Sequence, residues 1–175
     1  MMYAGLVKGK QKDLFSPPSL VFKGLQSDSR PQSRAEGLSF GTCCAPLLAA
    51  VRYLRKNGAK TVAIVGGSFG GSAAADASIT SQPGEINGLA LLAADWNGPA
   101  ERLKAPLLVI VARDDANDEG LRLPRIRAWF DRAPQPKKLL VLEGSAHAQF
   151  LFQTNQSDRV MRELLQFLSA TNLHQ

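Results

Sequence analysis

The sequence predicts an α/β fold in three layers, with a mostly parallel sheet of about five or six strands between helices. Three observations carry this expectation. Short apolar runs recur at 61–65, 88–94, 107–112 and 139–142, each about the length of a strand, the first short enough to be buried on both faces. Segments of helical periodicity alternate with them, the pattern that joins parallel strands through crossover helices. The first run opens directly into a glycine-rich turn, Gly66-Gly67-Ser68-Phe69-Gly70-Gly71.

The chain divides near residue 45. Residues 1–45 read as an irregular segment with one candidate strand, Ser19-Leu20-Val21-Phe22, bounded by Pro17-Pro18 and a polar stretch over 27–33. Residues 46–175 read as the core. Leu47, Leu48, Val51 and Leu54 recur at helical spacing, with Arg52, Arg55 and Lys56 mostly on the other side. That amphipathic helix is expected to stop at Gly58, suited to the left-handed cap position. Thr61-Val62-Ala63-Ile64-Val65 follows as the first core strand, and the small residues over 72–77 permit a helix after the turn.

Residues 88–94 and 107–112 supply the next two strands. Residues 121–133 suit a helix with Ile126, Trp129 and Phe130 inward, since Pro124 falls in its first turn. Residues 139–142 make a further strand. A last helix starts near Ser157, with Ser157 or Asp158 as cap and Val160, Leu164, Leu165, Phe167 and Leu168 as its apolar face. No internal repeat is visible.

Composition narrows the function classes. The longest apolar runs are far short of the roughly 20 residues of a spanning helix, and the first residues carry no signal-peptide pattern, so a cytoplasmic protein is expected. The net charge is +6, and its excess lies in residues 1–60, where ten Lys and Arg face three Asp and Glu. These basic residues are scattered, without aromatic interleaving, which reads as a solvated surface and not as a nucleic-acid or membrane partner. The two cysteines, Cys43 and Cys44, are neighbours, unsuited to a disulfide or a metal site.

Gly66-Gly67-Ser68-Phe69-Gly70 fits G-x-S-x-G between a buried strand and a helix, the setting of a nucleophile elbow. Such a turn strains the backbone, so small residues are needed two positions before and after the serine. A phosphate-binding turn is the plainer alternative. However, no Lys-Ser/Thr follows, and Ser68 stands where a dinucleotide fingerprint needs its second glycine. A serine needs a base, itself oriented by an acid, in the chain order Ser, Asp or Glu, His. His147 follows the last strand, whereas His174 is the penultimate residue. The acid is expected after residues 107–112: Asp115 first, Asp114 second, with Asp95 the choice if the acid is displaced by one strand. Asp118 reads as a turn or cap residue.

From about residue 45 to 170 the chain resembles the α/β-hydrolases, most of all the small serine hydrolases grouped with dienelactone hydrolases and the prolyl oligopeptidase-like and serine aminopeptidase-like families. The resemblance rests on the stretch from Val62 to Gly71, on Pro106 to Asp115, and on Gly144-Ser145-Ala146-His147. It implies Ser68 as nucleophile, Asp115 as acid and His147 as base, with the Phe69 backbone N–H as one oxyanion donor. It also implies a small-molecule acyl substrate (a carboxylic ester, thioester or amide), an acyl-enzyme intermediate, and no cofactor or metal.

Relative to the family, residues 1–45 are too short by about three strands, so the fold is expected to be a truncated one. No loop for a second oxyanion donor is legible, and Asp28-Ser29-Arg30-Pro31-Gln32-Ser33 is only faintly similar to the family's Arg-Gly-x-Gly-x-Ser stretch. Two further expectations follow. An edge left by missing strands would pair with a second copy, and a chain lacking one donor would be a weak or inactive hydrolase-like fragment acting by binding or assembly. The short segment 94–104 leaves no room for a lid domain, which suits small or flexible acyl groups.

Overall fold

The computed structural model describes residues 4–9, 19–21 and 44–171. Six strands form one sheet in the order β2-β1-β3-β4-β5-β8. They are β1 (Ala4–Gly9), β2 (Ser19–Val21), β3 (Thr61–Gly67), β4 (Gly88–Leu92), β5 (Leu107–Ala112) and β8 (Lys137–Leu142). The last four are parallel, and β1 is antiparallel to both β2 and β3. A separate hairpin of β6 (Ala116–Asn117) and β7 (Gly120–Leu121) follows β5. The helices are α1 (Cys44–Lys56), α2 (Phe69–Thr80), α3 (Arg122–Arg132) and α4 (Ser157–Ala170), with 3₁₀ turns at Ala100–Arg102 and Ala148–Gln153. This is the predicted α/β architecture, a mostly parallel sheet with helices on both sides.

The two-residue period of the strands divides the core between the sheet's faces. Val62, Ile64, Leu89, Leu91, Leu107, Val109 and Val111 face α1, α2 and α3. Ala63, Ala90, Leu92, Leu108, Ile110 and Ala112 face α4, which contributes Val160, Leu164 and Leu168. All of β4 and β5 is buried, which is why their sequences are apolar at every position and do not alternate. Among the described residues no helix is long and apolar enough to cross a membrane.

Several boundaries differ from expectation, each for a local reason. The N-terminal segment holds two described strands where one was expected. Ala4–Gly9 contains two glycines and only one β-branched residue, so its strand state comes from pairing with β3 and not from propensity. Phe22 lies outside the described residues. β4 ends at Leu92 because Ala93 has φ 51°. α4 begins after Gln156, and neither Ser157 nor Asp158 caps it; the N–H of Gln156 instead bonds the Thr154 hydroxyl. Leu165, expected inward, is 41% exposed, since Val160, Leu164 and Leu168 alone complete the buried stripe at four-residue spacing. Gly58 does have the left-handed φ expected of it, 83°.

Candidate active site

Ser68 occupies the turn from β3 into α2 with φ 52° and ψ −126°, a sparsely populated conformation for a residue with a side chain. The turn is held from both sides. The Ser68 N–H bonds the Leu92 carbonyl of β4 at 2.9 Å, and its own carbonyl accepts from Gly71 and Ser72. A Cβ at Gly66 would lie 2.6 Å from the Gly70 carbonyl oxygen, and one at Gly71 would lie 2.5 Å from the Ala94 side chain. These contacts explain the glycines physically: α2 starts against the backbone of β3 with no space for a methyl group. Ser68 is the N-cap residue of α2, yet its hydroxyl makes no capping bond. The first amides of α2, beginning with Phe69, are left without helical partners beside it, at the positive end of the helix dipole.

The Ser68 hydroxyl meets His147 instead. Its Oγ lies 2.9 Å from Nε2, and the ring's Nδ1 lies 2.8 Å from Asp115 Oδ2. With the carboxylate accepting from Nδ1–H, Nε2 is the acceptor for the serine O–H. His147 sits at the end of the loop after β8, immediately before the 3₁₀ turn, and its carbonyl accepts from Phe150 N–H. Ala148 is buried against the Ser68 turn, so closely that a Cβ at Gly67 would stand 3.3 Å from its methyl.

Asp115 is 1% exposed. Its loop is tied to the neighbouring strand's exit: Arg113 N–H bonds the Leu142 carbonyl, and Asp114 N–H bonds that of Gly144. Asp114 faces outward and is exposed. Asp95 follows β4 at the same end of the sheet but receives Arg125, at 2.8 Å from Nε and 2.5 Å from Nη2, and Arg122, at 3.4 Å from Nη1. Asp118 lies in the turn of the β6–β7 hairpin, as expected. Of the three candidate acids, the fold brings Asp115 to His147.

Residues 93–106 form a compact connection pinned by Trp96. Its indole donates to Asp76 Oδ1 at 2.9 Å, and its ring meets that of Trp129 edge to face at 5.7 Å. Partial burial raises the Asp76 carboxyl above its usual range, and the indole bond opposes that shift. Among the described residues no group of three or more His, Cys, Asp or Glu side chains is arranged to hold a metal ion. Phe69 and Phe150, both half-exposed, flank the serine and histidine in sequence.

Two features were missed from sequence. One is the pair Arg122 and Arg125, whose only trace there is an arginine pair placed just beyond an Asp-rich turn. The other is the direction of β1. Ala4 pairs with Gly66 and Gly9 with Thr61, so the chain leaving β1 departs from the end of the sheet opposite Ser68. Among the described residues, β3 therefore has no parallel neighbour on that side whose following loop would reach the Ser68 end.

No protein-family model matches the chain, and comparison with curated proteins found no match. Among solved structures, the chain is similar to the crystal structure of a dienelactone hydrolase-like promiscuous phosphotriesterase, P91, from metagenomic libraries. The TM-score is 0.47 at 17% sequence identity, over 61% of this chain and 51% of that one. This chain thus spans about half the length of that structure.

Proposed function

We propose that the chain is a serine hydrolase that cleaves a carboxylic ester, thioester or amide through an acyl-enzyme. The observation that carries the reading is His147, held between Ser68 Oγ at 2.9 Å and Asp115 Oδ2 at 2.8 Å by three separate loops. His147 Nε2 takes the hydroxyl proton as Ser68 Oγ attacks the carbonyl carbon. Asp115 holds the ring in the tautomer this requires and stabilises the imidazolium that forms. The Phe69 N–H, at the α2 N-terminus, faces the developing oxyanion. Collapse breaks the bond to the leaving group, which takes the proton from His147. Water then gives a proton back to His147 as it attacks the acyl carbon, and Ser68 is released with the carboxylic acid.

A second reading is a hydrolase-like chain of weak or absent activity that acts by binding or assembly. The direction of β1 supports it: among the described residues no donor loop follows a parallel strand on that side of β3, and lacking one oxyanion donor lowers the rate by about 10²–10³. A panel of small activated esters, assayed with the full chain and with Ser68→Ala, separates the two. Hydrolysis that disappears in Ser68→Ala supports the enzyme; identical rates for both proteins support the second reading.

A further inference from the structure

The charged cluster behind Asp115 has no part in the mechanism above. The β6–β7 hairpin pairs Ala116 with Leu121 and Asn117 with Gly120, and the Arg122 N–H closes it on the Asp115 carbonyl at 2.8 Å. The hairpin thereby returns the chain to the residue it left. It sets Arg122 Nε 3.3 Å from Asp115 Oδ1, the oxygen that His147 does not use. Nε is buried there without an aligned hydrogen bond. The guanidinium is therefore shared between two carboxylates, with Nη1 at 3.4 Å from Asp95 Oδ2.

Asp95 in turn is bonded by Arg125, which also reaches the Glu119 and Leu121 carbonyls and the Asn117 side chain, bracing the hairpin. Along the series Asp115, Arg122, Asp95, Arg125 the charges alternate. The other charges near this series lie outward: Arg113 pairs with Glu143, and Glu119 stands 3.8 Å from Arg125.

We propose that Arg122, held from behind by Asp95, is a positioning residue that fixes the rotation of the Asp115 carboxylate and so the orientation of His147. The inference rests on the serine hydrolase reading. A carboxylate this buried needs partners for both oxygens. With Oδ1 unpartnered it would turn about its terminal torsion, where rotamer preferences are broad, and carry the Nδ1–H acceptor out of line. The side-chain ion pairs of Arg122 go to Asp115 and Asp95 and not to Ser68 or the ring, so its effect reaches the chemistry through Asp115. Asp95, weighed from sequence as an alternative acid, is here the counter-charge that keeps Arg122 in place.

The test measures the rate at which a fluorophosphonate labels Ser68, together with kcat and KM on an activated ester. The full chain is compared with Arg122→Gln, Arg122→Lys, Asp95→Asn and the Arg122→Gln/Asp95→Asn double variant. Arg122→Gln is expected to slow labelling and lower kcat about tenfold, less than the ~10²-fold of a 1 Å misplacement, with KM and near-UV circular dichroism unchanged. Arg122→Lys, which keeps a point charge, recovers to within about threefold. Asp95→Asn slows labelling in the same direction, and the double variant is no slower than Arg122→Gln, because both act on one carboxylate. Should Arg122→Gln not fold, Asp95→Asn decides. Wild-type labelling rates in Arg122→Gln and Asp95→Asn, with the parent labelled at Ser68, overturn the proposal. A parent that does not label removes the hydrolase reading itself, and this inference with it.

Discussion

Ser68, His147 and Asp115 come from three loops far apart in sequence, and their meeting depends on residues that carry no chemistry. Gly66 lets α2 begin against β3, and Leu92 fixes the serine's backbone from the next strand. Gly66→Ala is expected to destabilise the fold by about 1–3 kcal/mol, the usual range for overpacking, and to lower Ser68 reactivity as the turn shifts; chemical denaturation and fluorophosphonate labelling measure the two effects. The choice among acids is equally open to test. Asp115→Asn is expected to lower kcat by about 10³- to 10⁴-fold through the wrong His147 tautomer, whereas Asp114→Asn leaves it nearly unchanged. Ser68 and His147 were legible in sequence because strain demands glycines at fixed offsets and because few histidines compete. The ambiguity between Asp114 and Asp115 was physical, since which residue of a turn faces inward depends on backbone bonds to a different strand. Arg122 was hidden for a related reason: only the hairpin brings it back to Asp115.

At the scale of elements, burial sorts residues that look alike in sequence. In α4, Leu164→Ala is expected to cost about 2–5 kcal/mol as a core truncation, and its exposed neighbour Leu165→Ala about 0.5 kcal/mol or less; urea midpoints distinguish them. The loop before β4 is clamped to α1 by Glu85, which accepts from Arg52 Nε at 2.7 Å and from Gln82 N–H at 2.8 Å. The Arg52 bond above all, with the Gln82 amide and the charges of Arg52 and Arg55, holds the Glu85 carboxyl below its usual 4.5 against a smaller effect of burial. A lowered folded-state value means stability that is fully present above pH 4.5 and lost as the pH falls through the lowered value. The melting-temperature gap between the parent and Glu85→Gln should therefore narrow on acidification below that pH, and a constant gap would contradict the assignment. Strands β4 and β5, and most of β3, could be read from apolar runs because burial on both faces leaves a compositional mark; the edge strand β8 was legible from its run of apolar residues, although only Leu140 and Leu142 are buried in it. β1 left none, since its partner β3 is distant in the chain and supplies the order that its glycines oppose.

For the molecule as a whole, the parallel strands gather every candidate site residue at one end of the sheet, beyond the carboxyl ends of β3, β4, β5 and β8, where open α/β sheets bind ligands. Asp95 lies there too, which is why sequence order alone left it a candidate acid. The excess positive charge lies in residues 1–60, while the proposed chemistry lies wholly in the near-neutral remainder. The architecture was predictable because its signals are local and repeated. The N-terminal pairing was not, because antiparallel addition to β3 is decided by contacts across the chain. The central claim, that Ser68 is a nucleophile activated by His147, is tested most directly by mapping the site of fluorophosphonate attachment in the full chain by mass spectrometry. The expected result is a single adduct on Ser68, formed at least about 10³-fold more slowly in His147→Ala. An adduct elsewhere, none at all, or one formed equally fast without His147 would contradict it.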